Sequence, residues 1–230
     1  MIDIPDDRNI DLHHHIDLGR KWLDASNEGK KNILLSYAAF EFRFAIERLA
    51  VHYWLQLAGD DPLHGDVRTL RSFKSIEKKI YELAGNQLLI NRHYDFIRCF
   101  FESLGLGIHC PTPTVGKLAG HWHSCSELCH ISWTLFAGES GNSDLAFTEL
   151  TKINLYLIDQ ASGITNWPKL PKSESLEYAS LIDRFMSGEA GIDDVKTYIK
   201  KNGIWAKVDY PDGRPSHFVG TPVPPGTGSS

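Results

Sequence analysis

Arg48 and His52 stand four residues apart in a stretch whose apolar pattern is helical, so they share one side of a helix. A permanent cation one turn from a group that titrates near neutrality combines an anion-stabilising donor with an acid–base. That pair could move a proton at a phosphodiester while holding the charge that develops on its oxygens. Glu41, Arg43 and Glu47 lie in the same stretch, and Arg43 and Glu47 are again four apart. Burying such charges costs on the order of several kcal/mol unless each is paired. They are therefore expected either to support the Arg48–His52 pair or to neutralise one another along the helix.

A second cluster gathers metal-ligand residue types. His109, Cys110, His121, His123, Cys125, Cys129 and His130 fall within 22 residues. On a helix, His121, Cys125 and Cys129 recur every four residues, and Cys110 from the preceding loop could complete a tetrahedral zinc site with them. No Cys-x-x-Cys knuckle is present, and the same helical side carries Leu118 and Trp122. The expected role of these thiols is apolar packing, with zinc as the minor alternative and no cofactor expected. The run His13-His14-His15 reads as a solvated helix turn.

A third group is basic. Arg68, Arg71, Lys74, Lys78 and Lys79 recur at three- and four-residue intervals opposite Leu70, Phe73, Ile76 and Ile80. Such a stripe could meet RNA or an acidic partner. It is also what the wet side of an amphipathic helix looks like, partly offset by Glu77 and Glu82, and that solvated role is the expected one, with RNA contact the minor alternative.

The elements that must position these groups are nearly all helical. Asn9 to Asn27 reads as a first helix with Leu12, Ile16, Trp22 and Leu23 inward. Lys30 to Ala58 is the strongest, apolar over so broad a surface that it should lie centrally and touch several neighbours. Further helices are expected over Asp66–Ala84, Gln87–Leu104, Val115–Phe136 and Ser143–Ser162, the last capped by Ser143 and Asp144. These predict a mainly α fold, an up-and-down bundle of about six helices over residues 1–165. A proline-containing linker (166–174) should lead to a small module (175–220) of two short helices and a β-hairpin, and a Pro/Gly tail (221–230) should follow. The module is marginal in size and needs something to dock on.

Composition bounds the rest. The chain has 230 residues, 42% hydrophobic, with a formal net charge of −5, which is ordinary globular composition. That charge argues against a general nucleic-acid coat. The acidic N-terminus lacks an apolar leader, and the four cysteines lack framework spacing, so a cytoplasmic setting with reduced thiols is expected. The charges within Tyr37 to Leu57 exclude a membrane span there. No phosphate-binding loop, nucleophile elbow, dinucleotide fingerprint or His-Glu-x-x-His is present.

The stretch Tyr37-Ala38-Ala39-Phe40-Glu41-Phe42-Arg43-Phe44-Ala45-Ile46-Glu47-Arg48-Leu49, in a compact helical chain, resembles the long helix of prokaryotic HEPN-type proteins. The resemblance implies a helical bundle paired into a dimer, of the kind found in toxin–antitoxin and phage-defence systems. Active members are metal-independent ribonucleases with an Arg followed by a His; it implies Arg48 as the phosphate holder and His52 as general acid or base. Those members separate the two by more than the three residues between Arg48 and His52, and by fewer than the eight between Arg43 and His52. A non-catalytic scaffold, or an immunity, antitoxin or assembly subunit that binds another protein, therefore stands beside the ribonuclease. The implied partners are RNA, a second copy of the chain, or another protein.

Overall fold

The segment with the densest apolar pattern folds as one 27-residue helix, and the others assemble around it. The computed structural model of the protein describes residues 8–58, 72–129, 140–163, 176–203, 205–208 and 217–220. In chain order the elements are α1 (Arg8–Ala25), α2 (Asn32–Ala58), α3 (Phe73–Ala84), α4 (Gln87–Ser103), α5 (Val115–Cys129) and α6 (Ser140–Gly163). They continue as α7 (Leu176–Ser187), α8 (Ile192–Asn202), β1 (Trp205–Val208) and β2 (His217–Gly220). The protein is mainly α, a helical bundle. The two short strands pair antiparallel, with Trp205 opposite Gly220 and Val208 opposite His217. No described helix is long and apolar enough to cross a membrane.

The chain divides into two compact units, Met1–Gln87 with Pro113–Trp167, and Leu88–Thr112 with Pro168–Ser230. In the first, α2 touches each of α1, α3, α5 and α6. Phe42, Ile46, Leu49, Tyr53 and Trp54 are fully enclosed there, beside Leu118 of α5 and Leu150, Ile153 and Leu157 of α6. The central position follows from the breadth of the apolar surface, since a helix with apolar groups on several sides can hide them only among several neighbours.

The α1–α2 corner is closed by its own backbone chemistry. Buried Ser26 donates from Oγ to the Leu23 carbonyl (2.6 Å) and accepts from the Gly29 amide (3.2 Å). Asn27, Glu28 and Gly29 all adopt positive φ (55°, 57° and 86°), a left-handed reversal. Gly29 is required on two counts: its φ, and a Cβ that would come 2.9 Å from the Ser143 carbonyl oxygen of α6. Along α1, Gly19 lies so close to α2 that a Cβ would overlap the Phe42 ring.

In the second unit, Phe96, Cys99 and Phe100 of α4 form one core with Tyr178, Leu181 and Phe185 of α7 and Val195 and Ile199 of α8. The half-buried Arg92 donates from Nη1 to the Met186 carbonyl (2.7 Å), placing a cation on the C-terminal end of α7. Arg98 bonds Asp95, the Cys110 carbonyl (3.1 Å) and Thr112 (2.7 Å), tying down the loop after α4.

Several expectations change. From Leu88 on, the fourth helix shares its core with the C-terminal unit, because two helices of 12 and 11 residues lack enough apolar area of their own. Trp22 is not inward but 37% exposed, one residue off the stripe of Leu12, Ile16 and Leu23, its ring 5.4 Å from that of Tyr37. Ser143 and Asp144 do not cap α6, which starts at Ser140 and takes them into its body. The third helix starts at Phe73, after a capping box between Ser72 and Ser75. The expected linker (166–174), the tail (221–230), and residues 59–71 and 130–139 lie outside the described residues.

Candidate functional site

The ionisable groups of α2 divide between inner and outer positions. Arg43 is half-buried, its Nε 3.3 Å from Glu47 Oε1 and its guanidinium carbon 4.8 Å from the centre of the Trp122 ring. Trp122 Nε1 donates to the same Glu47 oxygen at 2.8 Å, and its ring stacks on Phe73 at 5.5 Å. One carboxylate therefore takes two donors, and the cation rests on an aromatic face, joining α2 to α5 and α3. The expected intrahelical Arg43–Glu47 pair exists, but its second partner, Trp122, carries no signal in the sequence.

Glu41 is engaged elsewhere. Its Oε2 lies 2.7 Å from His15 Nδ1, and the His15 ring stacks on Phe44 at 5.2 Å. The His13–His15 run is thus solvated only at His13 and His14; His15 turns inward between α1 and α2. Arg48 is exposed and His52 half-buried, one turn apart on α2. Glu41, Arg43 and Glu47 each have a partner of their own: His15 for Glu41, and one another and Trp122 for the other two.

The zinc alternative is not borne out: among the described residues no three His, Cys, Asp or Glu side chains gather as a metal site. Cys110 belongs to the second unit, and His121, Cys125 and Cys129 to the first. Burial pushes the Cys125 thiol far up, with Cys129 and Glu149 adding to the effect, as for a neutral packing group. Burial also raises Cys129, against the pull of the Arg43 guanidinium. His121 turns to α6, its Nδ1 3.9 Å from Glu149 Oε1 and its ring 4.8 Å from that of Tyr156.

Of the basic stripe, Arg68 and Arg71 lie outside the described residues. Lys74 is exposed, Lys78 pairs with Glu82 at 3.6 Å, and Lys79 sits 5.8 Å from the centre of the Trp54 ring. The described half has the charge pairing of a solvated helix side.

A different feature of α2 stands out. Ile33, Tyr37 and Phe40 are 45%, 49% and 48% exposed, and with half-buried Phe44, Val51 and Leu55 they follow one stripe along the helix. Phe44 packs edge-on against Phe40 at 4.6 Å, and Trp22 of α1 extends the patch through Tyr37. A contiguous aromatic face of this kind is a candidate interaction surface. Its signal in the sequence is the apolar pattern itself, which runs round more of α2 than four neighbours can cover. No family model, no curated protein and no solved structure matches this chain.

Proposed function

We propose that this chain is a HEPN-like helical protein that works by binding, as a non-catalytic subunit of a prokaryotic defence or toxin–antitoxin type system, paired with a second copy of itself through the exposed face of α2. The observation that carries this is the aromatic stripe of Tyr37, Phe40 and Phe44, widened by Trp22. A second copy fits because the stripe is self-complementary. Phe40 and Arg48 stand four residues to either side of Phe44. Two α2 helices crossing antiparallel at Phe44 would set the Arg48 cation of each copy against the Phe40 ring of the other. One helix face about 33 Å long and about 10 Å wide, widened at one end by Trp22, offers under about 1,000 Å² in total, below most stable specific interfaces, so a weak, reversible dimer is expected.

Sedimentation equilibrium tests this. Wild type should show a concentration-dependent monomer–dimer equilibrium that Phe40→Asp abolishes, with unchanged helical circular dichroism because Phe40 is already half exposed. Wild type that stays monomeric at the highest concentrations would refute it. The second reading, a metal-independent ribonuclease, is favoured by exposed Arg48 lying one turn from His52 beside the same stripe. It requires RNA cleavage without metal that His52→Ala removes; intact RNA with wild type ends it.

A further inference from the structure

Between α5 and α6 lies a polar cluster that neither reading uses. His121 Nε2 and Tyr156 Oη are both buried, and neither has a hydrogen-bond partner. Their rings lie 4.8 Å apart. Lys117 Nζ is 4.7 Å from the centre of the Tyr156 ring, one turn before His121 on α5. Glu149 faces His121 Nδ1, Ser124 Oγ lies 3.4 Å from Glu149 Oε1, and Lys152 Nζ lies 3.8 Å from Glu149 Oε2. Two unsatisfied polar atoms on neighbouring rings are uncommon in a folded protein, and such atoms call for a partner. Exposed Lys117 and part-exposed Glu149 lead from solvent to them.

The donor pattern selects the partner. A carboxylate facing Nδ1 favours the tautomer with its proton there, which leaves the Nε2 lone pair as an acceptor. Tyr156 supplies an O–H donor, and Lys117 supplies a cation. The complementary group is an oxyanion that still carries one proton: its O–H donates to Nε2, while its charged oxygens accept from Tyr156 Oη and Lys117 Nζ. Free phosphate keeps a proton throughout the neutral range, and a phosphate monoester, with its second ionisation near ~6, keeps one only in its monoanion, whereas a carboxylate has lost its proton. We infer that Lys117, His121 and Tyr156 form a binding site for a phosphate group, taken up with its proton shared to His121.

The test is NMR of the histidine side chains of the full chain, with the His121 signals assigned by comparison with His121→Gln. Inorganic phosphate titrated at pH ~6.5 should shift the His121 signals saturably and raise their titration midpoint. Sulfate and acetate at matched ionic strength, which lack the O–H, should not. Tyr156→Phe and Lys117→Met, both conservative in size, should each weaken phosphate binding about tenfold. A small alkyl phosphate run in parallel tells whether the site takes a monoester or only the free ion. No saturable shift, the same response to sulfate, or undiminished binding in both variants would overturn the site.

Discussion

Glu47 accepts hydrogen bonds from side chains on two helices, and this makes it the most consequential charged residue on α2. Trp122→Phe keeps the stack on Phe73 but removes one of those bonds. It should cost about 1 kcal/mol in urea denaturation, while Glu47→Gln, which also unpairs Arg43, should cost more. His121 gives a second prediction at this scale. Burial and the Lys117 ammonium lower its pKa below the ordinary 6.5, and Glu149 opposes them only in part. The folded state therefore binds fewer protons than the unfolded chain below that value. The contribution of His121 to stability is fully present above pH 6.5 and is lost as the pH falls through the lowered folded value. Wild type should lose stability over that interval relative to His121→Gln; parallel curves for the two proteins would contradict the assignment. Arg48 and His52 were legible as a pair one turn apart. The Trp122 partner of Glu47 and the partners of Glu41 and His121 were not, because each comes from a different helix, and a helical period says nothing about which neighbour a residue meets.

At the scale of elements, the helices were readable from their periods, and most of the differences lie at their ends and in their assignment to cores. The period of α4 is as clear as that of α5, yet α4 serves another unit; periodicity reveals an apolar stripe and not what covers it. Gly19 shows the same limit from the other side. It reads as an indifferent residue within a helix, but it is what lets α1 approach the Phe42 ring. Gly19→Ala should therefore destabilise by about 1–3 kcal/mol, despite the better helix propensity of alanine. Thermal unfolding followed by circular dichroism measures it, and a neutral or stabilising effect would mean that the helices can separate freely there. Gln87 holds the start of α5 within the first unit: its side chain donates to the Pro113 carbonyl (2.8 Å) and accepts from the Val115 amide that opens α5 (3.1 Å). Gln87→Ala leaves that amide without its partner and should cost about 1 kcal/mol in the same assay.

At the scale of the molecule, the first unit encloses its core around α2 and leaves the Ile33–Tyr37–Phe40 side of that helix exposed. An exposed stripe of Ile33, Tyr37 and Phe40 next to Arg48 costs solubility in a monomer and gains its contacts only in an assembly. Pairing across a twofold axis at Phe44 is the central claim, and it has a direct geometric consequence: position 44 of one copy must meet position 44 of the other. Cysteine cross-linking at that position measures it, with Leu155→Cys on the exposed side of α6 as the reference. Under mild oxidation, Phe44→Cys should run as a disulfide-linked band of twice the chain mass, reversed by reductant, while wild type and Leu155→Cys stay single. A Phe44→Cys protein that remains single, or a Leu155→Cys protein that links as readily, would contradict it.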